Sequence, residues 1–143
     1  MTNSSLERFV DAQDGLYETA LAEIRSGRKS SHWMWFIFPQ LAGLGSSSMA
    51  AYYSIKDLNE ARAYLDHSVL GPRLIECAEA VMAVEAKSAH EIFGTPDDLK
   101  LRSSATLFSQ LSRPGSVFHR ILDKYYSSAP DPRTLELLRA KLT

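Results

Sequence analysis

The residues most suited to chemistry crowd into one stretch, KSSHWMWFIFPQLAGLGSSS from Lys29 to Ser48. His32 follows a basic, hydroxyl-rich turn of Arg28, Lys29, Ser30 and Ser31. An imidazole there suits general acid–base work near neutral pH, or a simple hydrogen bond that ties the loop down. Trp33 and Trp35 offer flat π-faces for a purine or nicotinamide ring, each stacked base being worth ~1–3 kcal/mol. The same two rings, with Phe36 and Phe38, fill a core equally well. Gln40 closes the block, and Gly43-Leu44-Gly45-Ser46 follows as a turn. Its glycines permit close backbone approach to a phosphate, with Lys29 as countercharge. It has neither the Walker nor the dinucleotide spacing, and an ordinary turn with a serine cap explains it as well.

A second group lies on the segment after Thr95. Lys100, Ser103 and Ser104 share one side of a helix, Arg102 and Thr106 another, and Leu101, Ala105 and Phe108 form an apolar stripe. Lys100, Arg102, Ser103 and Thr106 have the reach to hydrogen-bond a ribose or pyrophosphate. A solvated face carrying an Asp98–Arg102 pair is the alternative. Asp97 and Asp98 are favourable first-turn acids, and Asp98 is the second acid–base candidate beside His32. No HxxxH, HExxH or CxxC spacing occurs, so no metal and no cofactor is expected. Cys77 sits on an apolar stripe with Leu74 and Ala78, as an inert core thiol does.

Positioning these groups falls to helices. Ser4/Glu7, Asp57/Glu60 and Ser88/Glu91 have capping-box spacing, and Ser116 caps a further apolar stripe. Leu6, Phe9, Val10, Tyr17, Leu21 and Ile24 keep the 3.6-residue period, with Asp14-Gly15 able to kink or split the helix. Pro72, Pro96 and Pro132 mark further starts, Pro72 as a first helical residue. The run Trp33–Ile37 reads as one helical turn or as a strand, and no neighbouring segment offers a strand partner. Phe38, before Pro39, should be extended. The sum is an all-α single domain over residues 1–143, an irregular array of seven or eight short helices.

Composition narrows the function classes. Net charge is −1, so no global basic field draws the chain to nucleic acid or anionic lipid. No apolar run reaches membrane-spanning length, the N-terminus lacks a secretory pattern, and one cysteine suits a reducing cytoplasm, the expected location.

The blocks LERFVDAQ, GRKSSHWMWFIFPQLAGLGSSS, EARAYLDHSVLGPRL and EIFGTPDDLKLRSSATLF resemble the bacterial domain-of-unknown-function family 1810 over nearly the whole chain. Ser48, Ser68 and Ala105 depart from its usual pattern and remove no reactive group. Its members are often labelled calpastatin, a disordered inhibitor, whereas this composition is that of a folded domain. The resemblance implies an all-helical fold and a distant similarity to YbiA-like domains, linked to ADP-ribose chemistry. Two functions follow as expectations. One is an enzyme on a nucleotide-like, phosphate-bearing substrate, with hydrolysis at a ribosyl bond as one such reaction. The other is a non-catalytic module that binds a small anionic metabolite or a peptide.

Overall fold

Why the aromatic block forms a helical turn and not a strand is plain from its surroundings. In the computed structural model, which describes residues 2–142, the block's neighbours are helices, and only an isolated parallel bridge joins Leu41 to Ile55. The helices are α1 (Thr2–Gln13), α2 (Tyr17–Arg25), α3 (Met34–Ile37), α4 (Ser48–Tyr52) and α5 (Leu58–Asp66). There follow α6 (Leu70–Ala83), α7 (Ala89–Phe93), α8 (Asp97–Ser109), α9 (Val117–Tyr125) and α10 (Pro132–Leu142). Ten helices among the described residues exceed the seven or eight expected. The chain divides at Asp14–Leu16, and the single turn α3 counts as an element of its own. None is long and apolar enough to cross a membrane.

Capping follows the sequence with informative exceptions. Asp57 accepts from Glu60 N–H at 2.9 Å, but the Glu60 carboxylate returns to Lys56 N–H, one residue before the cap. Ser88 and Glu91 form the full reciprocal box, and Ser116 caps α9. Pro72 stands third in α6, not first, still in the first turn where a missing N–H leaves no bond broken. Ser4 lies inside α1, so it is no cap; its side chain falls outside the described residues. At the far end of α6, the Lys124 ammonium donates to the Met82 and Val84 carbonyls, and the Tyr125 hydroxyl joins Val84 N–H at the Val81 carbonyl.

The α9 helix packs between α6 and α8; α2 and α5 cover other faces of α6, while α7, α10 and α5 flank α8. Most of the aromatic block belongs to this core. Trp33 is 0% exposed and meets Phe93 edge-on, as Phe38 does, while Phe36 packs against Tyr53. Phe38, expected to be extended before Pro39, leaves the helical region with φ −123° and ψ 76°, short of the fully extended range, and α3 ends after one turn.

Candidate functional site

The loop that carries His32 is organised by a residue outside the motif. Glu23, in the last turns of α2, accepts from Ser30 N–H at 2.8 Å, Ser31 N–H at 2.9 Å, the Ser31 hydroxyl at 2.5 Å and the Trp33 indole N–H at 2.9 Å. Desolvation pushes its pKa up. The donors from Ser31, Ser30 and Trp33 outweigh that and hold the carboxyl at about 2. Glu23, ionised at neutral pH, therefore fixes Ser30, Ser31 and Trp33. His32 between them is exposed, with no hydrogen bond found to its ring among the described residues.

Lys29 leads from this loop to α8. Its side chain is 8% exposed, and its ammonium lies 2.8 Å from Asp97 Oδ2 and 5.0 Å from the centre of the Trp33 ring. The other Asp97 oxygen faces Lys100 Nζ at 3.3 Å, and Lys100 lies over the half-buried Trp35 ring at 4.8 Å. One carboxylate thus serves two ammonium groups, while the neighbouring Asp98 carboxylate faces His90 and Thr95 instead. Lys100 also lines an open cleft of about 330 Å³. Gln40, Leu44, Gly45 and Ser46 form one wall; Pro96, Leu99, Lys100 and Ser103 form the next. Asp131 and Arg133, at the start of α10, close the third side.

Local chain chemistry shapes the first wall. Gly43 has φ +101°, a conformation that L side chains rarely adopt, and a Cβ on Gly45 would lie 2.5 Å from that of Ala50. Ser47, not Ser46, caps α4 by accepting from Ala50 N–H at 3.0 Å, which leaves Ser46 at the cleft. Ile55 holds the strand-like entry through two backbone hydrogen bonds of 2.8 Å, to Gln40 and from Ala42.

The structure brings together only part of the expected site. Gln40, Gly45, Ser46, Lys100 and Ser103 line the cleft; Lys29, Trp33, Trp35, Gly43, Arg102, Thr106, His32 and Asp98 do not. Trp33 is core, and Trp35 lies beneath Lys100. Arg102 turns away from Asp98 and donates to the Ala129 and Pro130 carbonyls, each at 3.0 Å. Thr106 Oγ1 accepts from Asp131 N–H at 2.8 Å, and Ser103 Oγ lies 3.2 Å from Asp131 Oδ2. These three residues, read in the sequence as ligand donors, hold the 129–131 turn in place. Asp98 instead sits near Thr95 Oγ1 at 3.4 Å and His90 Nδ1 at 3.7 Å.

Sequence reading missed Glu23, Asp131 and Arg133. Asp131-Pro132 registers as a helix start, a signal that says nothing of the carboxylate's second oxygen. A smaller cleft of about 230 Å³ includes His119, Asp123 and Ser128, but its polar groups pair locally: His119 Nδ1 with Ser116 Oγ, and Ser128 Oγ with Asp123, each at 2.8 Å. Among the described residues, no group of three or more His, Cys, Asp or Glu side chains is placed to hold a metal ion.

Comparison with known proteins places this geometry in context. A family model described as "Protein of unknown function (DUF1810)" matches residues 3–138. The crystal structure of the conserved hypothetical protein Rv1873 from Mycobacterium tuberculosis is similar with a TM-score of 0.92 and 53% identity, over 94% of this chain and 96% of that one. No curated protein matches.

Proposed function

We propose, for a chain that belongs to the DUF1810 family, that it binds a small phosphate-bearing, nucleotide-like molecule in the cleft between residues 40–46, α8 and the start of α10. One observation carries the reading. Lys100 is the cleft's half-buried cation, and Lys29 already neutralises much of the carboxylate that Lys100 touches. An incoming anion can therefore take Lys100 without stripping Asp97 of its only partner. Arg133, exposed and 3.4 Å from Glu136, adds a second cation at the rim, and Ser46, Gln40 and the Gly45 backbone supply neutral donors. The volume falls at the lower end of ligand pockets, ~300–1,000 Å³, which favours a sugar phosphate or mononucleotide over a dinucleotide.

Binding stands ahead of hydrolysis in this reading because His32 and Asp98, the acid–base candidates, both lie off the cleft lining. Thermal-shift measurements with ribose 5-phosphate, AMP, ADP-ribose and NAD test it. A ligand at about a hundred times its dissociation constant adds about 2.7 kcal/mol. The smaller ligands should raise the melting temperature, and Lys100→Met should abolish the rise. Absence of any shift with all four refutes the proposal. Product formation lost in His32→Ala or Asp98→Asn, with binding retained, restores the enzymatic reading.

A further inference from the structure

Resting on that reading, we infer that Asp131 is a ligand-binding residue which accepts hydrogen bonds from sugar hydroxyls, so that the cleft takes a polyol phosphate and not a bare anion. The carboxylate is used asymmetrically. Its Oδ2 receives Thr134 N–H at 3.1 Å and the Thr134 hydroxyl at 2.5 Å, which cap α10, and lies 3.2 Å from the Ser103 hydroxyl, whose single proton is shared with the Leu99 carbonyl at 3.1 Å. No donor among the described residues is found at Oδ1, although the residue lines the cleft. The backbone leaves it little freedom to turn away. Asp131 N–H donates to Thr106 at 2.8 Å, and Arg102 grips the two preceding carbonyls.

A negative group sharing the cleft with Lys100 and Arg133 is a liability in a site for inorganic phosphate, because like charges repel across a small cleft. It is an asset for a ligand whose anionic end meets the cations while its other end donates. Hydroxyls fit that end better than an ammonium, which would face Lys100 and Arg133 in the same space. The exposed Leu99 beside Lys100 gives the carbon skeleton an apolar surface to lie on.

The test compares ribose 5-phosphate with inorganic phosphate on wild-type protein and on Asp131→Asn, by calorimetric titration. Asparagine caps a helix as well as aspartate does, so α10 should stay in place while the cleft loses its acceptor charge. Losing a hydrogen bond to a charged group weakens ribose 5-phosphate by about 10-fold or more. Inorganic phosphate, relieved of a repulsive neighbour, should bind no worse or more tightly. Opposite responses of the two ligands support the inference. Equal or parallel responses overturn it and leave the anion site standing, whereas failure of both ligands to bind the wild type overturns the site itself. Should circular dichroism show Asp131→Asn misfolded, Asp131→Ser, also a competent cap, is judged by the same ratio.

Discussion

Replacing Asp97 by asparagine keeps the side chain's shape and removes the one negative charge shared by two ammonium groups. Lys29 Nζ lies 2.8 Å from it and Lys100 Nζ 3.3 Å, and the Lys29 side chain is only 8% exposed. At an effective dielectric near 20, a charge pair at the shorter distance attracts by about 6 kcal/mol before desolvation is counted. Desolvation offsets most of that, so the pair's net worth is modest while its rupture is costly. In Asp97→Asn, Lys29 keeps the Ser31 carbonyl and the Trp33 face but confronts Lys100 without a counter-charge. A fully buried pair loses about 3–5 kcal/mol when one partner goes, and the 19% exposure of Asp97 lowers the expectation to about 2–3 kcal/mol. That is a fall of about 5–10 °C in melting temperature for a domain of this size. Lys29→Met retains the methylenes against Trp33. In the double variant the loss should fall short of the sum by about 1–2 kcal/mol. Urea unfolding followed by tryptophan fluorescence measures all four proteins. Additivity to within about 0.5 kcal/mol would show that this pair does not lock the aromatic block to α8.

Three other outcomes are expected. The Glu23 carboxyl is held at about 2 in the folded protein against an ordinary 4.5, so its contribution is present above pH 4.5 and lost as the pH falls toward 2. Allowing for solvent screening, Glu23→Gln should remove about 1–2 kcal/mol of that acid-sensitive stability, seen as a flatter pH profile of urea midpoints. Gly71→Ala should destabilise by about 3 kcal/mol despite alanine's better helix propensity, because a Cβ there would lie 2.0 Å from the Leu65 carbonyl oxygen; chemical denaturation gives the sign directly. Burial pushes the Cys77 thiol up to about 12, so a thiol reagent at pH 8 should label it only after denaturation, and rapid labelling of native protein would contradict its place in the core.

The fold was legible where the apolar residues and the caps agreed, as in α7 and α9. It was less so where tertiary context decides. Trp33–Ile37 becomes a helical turn because no strand lies alongside it, and Pro39 then stops it after four residues. The site was half legible. The pairing of the aromatic block with α8 follows the two motifs, but the direction of each side chain did not. Arg102 and Thr106 share a helix face that suits ligand contact, and only the arrival of residues 129–131 reveals that this face is already engaged. Glu23 was invisible for a related reason. A carboxylate in an amphipathic helix looks solvated until the loop after it folds back and presents four donors to it.

Backbone-amide NMR during titration with ribose 5-phosphate addresses the cleft most directly. The largest shifts should fall on Gly45, Ser46, Lys100 and Asp131, with the Trp33 indole N–H, held by Glu23, left unmoved. Saturation that leaves those four amides in place, or shifts gathered around His119 and Ser128, would contradict a ligand site between residues 40–46 and α8.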